Sequence, residues 1–225
     1  MPLPAPDVDR LFALGSTYDC PDDGTATVIA LPAAELPLPS GTVGVCDPFD
    51  LDGTACPALP ETALPGTYPV TLSVVEITTT AQLRYREVAA AHLQLRGEPA
   101  VRWELTAAAT GREQVEALGD TEFLGYGVDS AVGCFLDAHA AQALHTALGP
   151  RREALVRALE AASGTEPAVV TDPTTGAGLV AFPSGRGDGL YPTWAGYGAD
   201  GQPVALVTEF FILPQPGRTE DDDED

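Results

Sequence analysis

The stretch "PVALVTEFFIL", residues 203–213, is apolar at almost every position. Read as a strand, it places Val204, Leu206, Phe210 and Ile212 on one side and Ala205, Val207, Phe211 and Leu213 on the other, since successive strand side chains point to opposite faces. Such a strand is central and needs a covering layer on each face. It also carries Glu209 in mid-strand. Burying a carboxylate is costly unless it is paired, hydrogen-bonded or metal-bound. The expected partner is an arginine such as Arg102 or Arg186; the alternative is a metal ligand or an acid/base with a raised pKa.

The rest of the chain fits a strand-rich protein. "YPVTLSVVEI" from Tyr68 is β-branched, and "AVRWELTA" alternates, with Val101, Trp103 and Leu105 on one face and Arg102, Glu104 and Thr106 on the other. "RYREVAAAHLQL" reads as a further strand, although its alanines also suit a helix. One block is clearly helical: Asp137 is a good N-cap for "AHAAQALHTALG", Gly149 ends that helix, and Pro150 can open another. The predicted class is α+β, a mostly antiparallel or mixed sheet with one helical hairpin at about 137–162 packed on it. Twelve of the 21 prolines precede residue 70, which argues against long regular elements there. Residues 1–40 are therefore expected as a Pro-rich segment packed on a single domain of residues 41–213. A short helix (Asp7 to Leu14) and a strand (Ala26 to Leu31) are placed within that segment, and residues 50–66 are expected as irregular loop. Residues 214–225, ending in "EDDDED", are expected as a solvated acidic tail.

At 225 residues the chain suits one domain. Its net charge of -22, with 11 arginines and no lysine, leaves no electrostatic footprint for nucleic acid or an anionic membrane. No apolar stretch is long enough for a membrane span, and "MPLPAPDVDR" does not look like a signal peptide. A cytoplasmic location is expected, and the composition suggests a bacterial, G+C-rich source. Cys20, Cys46, Cys56 and Cys134 show no C-x-x-C spacing. Four free thiols are expected, with a disulfide or metal role among the first three as the alternative.

Familiar catalytic signatures are missing. Without lysine there is no P-loop and no Schiff-base chemistry. H-E-x-x-H and G-x-S-x-G are also absent. His139 and His145 are read as solvated helix residues and His92 as a satisfied sheet histidine. The tripeptide Arg186–Asp188 matches an adhesion motif only by chance. Attention turns to two glycine-rich segments, 125–137 and 184–201. Asp129 lies in the first. Asp188 lies in the second between Gly187 and Gly189, with Arg186, Tyr191 and Trp194 close by. Glycine inside a strand marks a bulge or a close approach. Asp200-Gly201 reads as a tight hairpin turn.

"VCDP" (45–48), "PGTYPV" (65–70), "WELTA" (103–107), "GYGVDSAVGCFLDA" (125–138) and "SGRGDGLYPTWAGYGADGQPVALVTEF" (184–210) together resemble the family catalogued as domain of unknown function 4241. The resemblance covers roughly residues 41–213. Members often carry an aromatic where Arg186 stands, Tyr-Trp where Thr193-Trp194 stands, and Asp where Glu209 stands. The resemblance implies a small, mostly bacterial soluble protein and brings no activity with it.

Two functions are expected from these residues. The first is a glycine-rich, carboxylate-lined pocket for a small ligand or a divalent metal, with hydrolysis as its chemistry. Asp129, Asp188 and Glu209 would be its catalytic or metal residues, and Arg186, Gly187, Gly189, Tyr191 and Trp194 would contact ligand. Oxygen-only ligands favour Mg²⁺, Mn²⁺ or Ca²⁺. The second is a non-catalytic acidic module that neutralises or scaffolds a basic protein partner.

Overall fold

The computed structural model describes residues 2–21, 24–52, 56–107, 114, 115 and 117–218. Its strands are β1 (Thr17–Cys20), β2 (Gly24–Ala30), β3 (Ala33–Leu38), β4 (Thr42–Cys46), β5 (Ala58–Thr62), β6 (Gly66–Thr78), β7 (Arg84–Gln94), β8 (Arg102–Thr106), β9 (Gly125–Val128), β10 (Val132–Asp137), β11 (Ala168–Thr171), β12 (Gly178–Pro183), β13 (Gly189–Tyr197) and β14 (Pro203–Glu209). The α-helices are α1 (Val8–Leu11), α2 (Ala141–Leu148) and α3 (Glu153–Ala161).

The strands form two sheets. The larger runs β1-β2-β6-β7-β14-β13-β8, with β3 beside β6 and β9 beside β13; the smaller runs β11-β12-β10-β4-β5. Every pairing among the described strands is antiparallel. The protein is thus mostly antiparallel sheet with few helical residues. One face of the small sheet, with Val43, Val45, Leu59, Phe135, Val180 and Phe182, joins the core against the large sheet. Its other face, with Cys134, Leu136, Leu179 and Ala181, buries Leu144 and Leu148 of α2 and Leu155 of α3. Strand alternation sorts these two sets, because neighbours along β10 and β12 point to opposite layers.

The N-terminal residues do more than pack on the domain: β1, β2 and β3 are strands of the large sheet. The expected helix shortens to α1, capped by Asp7, whose side chain accepts from the Arg10 amide. Strands β3 and β5 run through prolines, Pro37 and Pro60. Both strands have only one sheet neighbour, so the missing amide donor is tolerated there. The strand expected over 203–213 stops at Glu209, and Phe211 turns out of line at φ 54. The strand is still central, lying between β7 and β13. The turn before it spans residues 198–202, closed by Gly198 N–H to the Gln202 carbonyl (2.9 Å), so it is longer than a two-residue hairpin. Of the acidic tail, residues 219–225 lie outside the described residues.

The chain passes repeatedly from one sheet to the other, and buried carboxylates hold the passages. Asp47, 2% exposed, accepts from the amides of Phe49 (2.8 Å), Asp129 (3.0 Å) and Ser130 (2.8 Å) and from the Ser130 hydroxyl (2.7 Å). It fixes the step from β9 to β10. Asp137, fully buried, accepts from the Ser40 amide (2.8 Å) and hydroxyl (2.6 Å), fixing the step from β3 to β4. Glu61 of β5 accepts from Thr106 (2.8 Å) and Tyr197 (2.9 Å) of the large sheet. Charge-assisted bonds of this kind are roughly twice as strong as neutral ones.

Asp47→Ala strips four donors of their acceptor. It is expected to lower unfolding stability by roughly 2–4 kcal/mol, and Asp47→Asn, which keeps one acceptor oxygen, by less. Urea unfolding followed by tryptophan fluorescence measures both, and a loss no larger than a surface substitution gives would refute the role assigned to Asp47.

Candidate functional site

The three carboxylates singled out in the sequence do not converge. Asp129 and Asp188 flank the last register pair of β9 and β13, Val128 with Gly189, and both are exposed. Glu209 lies farther along the large sheet, adjoining the register pair Thr208–Thr193, and is 1% exposed. Its partner is Arg218, and neither Arg102 nor Arg186: Arg218 Nη1 reaches the two carboxylate oxygens at 2.9 and 2.8 Å. The same guanidinium donates to the Pro4 carbonyl (2.7 Å) and stacks 5.2 Å from the Trp194 ring. Among the described residues, no three His, Cys, Asp or Glu side chains stand where they could share a metal ion. The expectation of a Mg²⁺, Mn²⁺ or Ca²⁺ site on Asp129, Asp188 and Glu209 is therefore corrected: strand register separates Glu209 from the other two, and an arginine already occupies it.

The neighbouring residues also have structural work. Trp194 is fully buried with Leu3 and Leu105. Tyr191 packs edge-on to Phe210, and its hydroxyl donates to the Gly187 carbonyl (2.7 Å). Ser184 donates to the same carbonyl (2.8 Å). Arg186 is exposed and faces Glu87 at 3.7 Å. Residues 184–188 connect β12 of the small sheet to β13, which Gly189 opens in the large one. Gly185 meets the requirement of that passage: its φ is +61, and a Cβ there would lie 2.8 Å from Ile212 Cδ1 and 2.9 Å from Phe210 Cβ. The segment 129–131 makes the reverse passage. Both glycine-rich segments are thus sheet-to-sheet crossings.

None of the four cysteines is in a disulfide. Cys46 and Cys134 face each other across β4 and β10, Sγ to Sγ 3.7 Å. The hydrogen bond with Cys134, together with burial, pushes the Cys46 thiol well up, which keeps it protonated and unreactive.

An open concave site lies elsewhere, on the face of the large sheet turned away from the small one. Four register positions cross that face in a row: Trp103 of β8, Gly196 of β13, Ala205 of β14 and Gln94 of β7. The Trp103 ring lies over Gly196, and the small Ala205 leaves the row hollow between that ring and Gln94. Gly196 is obligatory in this arrangement, since a Cβ there would lie 2.8 Å from the Trp103 ring. Helix α1 and Phe12 wall one side, and the connection containing Arg96, Glu98, Pro99 and Ala100 walls the other. The resulting cleft has a volume of about 250 Å³, at the small end of ligand sites.

His92 and Gln94 open into this cleft from β7. The His92 ring packs against Phe12, centroids 5.3 Å apart, and burial pushes it down to about 4, so it is neutral at physiological pH. Among the described residues neither His92 nor Gln94 makes a side-chain hydrogen bond. At the rim, Arg96 is held by Asp200 and Glu98, both at 2.9 Å. Sequence pattern alone missed this site because its residues come from α1, β7, β8 and β14 and form no local motif. The one available signal was a histidine and a glutamine, two apart and so on one face, following the apolar run Val88–Ala91 of β7.

Burial pushes the Glu209 carboxyl up to about 7 against the pull of Arg218. A carboxyl raised in the folded state binds more protons there than in the unfolded chain, so its contribution is fully present below about pH 4.5 and is lost as pH rises through about 7. Relative to Glu209→Gln, which does not titrate, the wild type is expected to lose on the order of 3 kcal/mol between those limits and to stay level above them. Urea midpoints of both proteins from pH 4 to 8 supply the comparison, and a difference that does not change with pH would contradict it.

No helix among the described residues is long and apolar enough to cross a membrane. No curated protein and no solved structure matches the chain. The family described as protein of unknown function DUF4241 matches residues 36–208, a span holding β4 to β13, Trp103, His92 and Gly196. By that match over well more than half its length, the chain belongs to the DUF4241 family.

Proposed function

We propose that this protein binds a small ligand in the cleft between α1 and the outer face of the large sheet, and that the glycine-rich carboxylates Asp129 and Asp188 are not its site. The observation that carries the reading is the pair His92 and Gln94. Both present polar side chains to a concave space, and neither has a hydrogen-bond partner among the described residues. Neither is among the buried polar atoms left without a partner, so both stay open to solvent, and two polar groups converging on a cleft lined by aromatic residues suit a binding site. Binding without catalysis fits the site best. Among the described residues no hydroxyl or thiol nucleophile lines the cleft, and His92 has no carboxylate partner to orient it as a base.

A thermal-shift panel of amines, amino acids, nucleosides, sugars and small carboxylates tests this. A compound that raises the melting temperature of the wild type is expected to leave His92→Ala and Gln94→Ala unshifted, while both variants keep near-native stability without it. Gly196→Ala, which displaces the Trp103 ring, is expected to weaken the same compound about tenfold or more. Stabilisation that survives all three substitutions would place binding elsewhere and refute the proposal.

A further inference from the structure

We infer that the ligand of the cleft is a small organic ammonium ion, a conclusion that rests on reading the cleft as the binding site. Four features of the lining favour a cation. Phe12 and Trp103 both line the cleft, and an ammonium against an aromatic face is attracted by the ring quadrupole. His92 is neutral and Gln94 is an amide, so each offers an acceptor to an N–H donor. Asp9 on α1 lines the cleft and has no ion pair among the described residues. The chain as a whole carries -22, which raises the local concentration of cations and speeds their encounter.

The opposing charge is Arg96, the one cation of the lining among the described residues. Its guanidinium is bound on both sides, Nη1 to Asp200 and Nη2 to Glu98. With Asp9 and Glu98 also present, the balance of formal charge at the cleft is negative. An anionic ligand would have to displace a carboxylate from Arg96 and then sit beside Asp9. A cation meets Asp9 with nothing to displace.

Three probes on one carbon frame separate charge from shape: phenethylammonium, 2-phenylethanol and phenylacetate, each titrated into the full-length protein at pH 7. The readout is the fluorescence of Trp103, with Trp103→Phe identifying which signal comes from the cleft and which from the buried Trp194. Phenethylammonium is expected to bind at least tenfold more tightly than the alcohol, with phenylacetate weakest, and to weaken as salt is raised. Asp9→Asn is expected to reduce ammonium binding three- to tenfold and to leave 2-phenylethanol unchanged; Asp9 is exposed, so the variant keeps its fold. If the alcohol or phenylacetate binds as tightly as the ammonium, the cation inference falls while the cleft remains a ligand site. If none of the three perturbs Trp103, the inference falls, and the cleft as a site then stands or falls on the His92 and Gln94 comparison alone.

Discussion

Two antiparallel sheets can share one core only if the chain passes between them without leaving its backbone groups unpaired. In this protein that constraint is met by carboxylates. Asp47 gathers three amides and a hydroxyl at the β9–β10 passage, Asp137 gathers the Ser40 amide and hydroxyl at the β3–β4 passage, and Glu61 joins the edge of the small sheet to Thr106 and Tyr197 of the large one. Among the described residues none of the three is bonded to a cation, and each is satisfied by several donors. A buried carboxylate with that many donors stabilises, whereas the same group with none would cost more than the fold could offset.

The passages also decide where a site can form. They are closed at one end by a run of aromatic rings, Phe135, Phe182, Phe210, Tyr191 and Tyr126, and packing there fills the space beside Gly133 and Gly185. The outer face of the large sheet is covered differently. Near Glu209 it is sealed by the Pro4 region and the segment that brings Arg218 back over Trp194. Near Gln94 the described cover is the four residues of α1, Phe12 and the connection Arg96–Ala100, so a short helix spans a hollow row and a cleft remains. One sheet face thus holds a sealed polar pair and an open polar pair, and only the open pair can meet a ligand.

Much of the architecture was legible in the sequence. The period-two pattern of "AVRWELTA" gave β8 with Trp103 and Leu105 on one face, and the doubly apolar "PVALVTE" gave a central strand, because burial and strand alternation act on the same residues. The Pro-rich beginning was less legible. Proline forbids an interior ladder position but not an edge one, and whether a strand is an edge is decided by the rest of the sheet. Pro37 and Pro60 therefore hid β3 and β5. The glycine-rich segments were ambiguous for a related reason. Glycine density signals close approach, and at Gly185 the approach is to Phe210 and Ile212, at Gly133 to Tyr126 and Phe182.

The sequence by itself determined that the chain is strand-rich, that residues 203–209 are buried on both faces, and that Glu209 must have a partner, since each of these follows from side-chain polarity along a fixed repeat. Tertiary structure alone decided which partner and which site. Arg218 reaches Glu209 only because the chain turns back after Phe211, and the cleft exists only because register brings Gly196 and Ala205 between Trp103 and Gln94. Register across strands distant in the chain is set by packing between layers, and no local stretch of sequence encodes it.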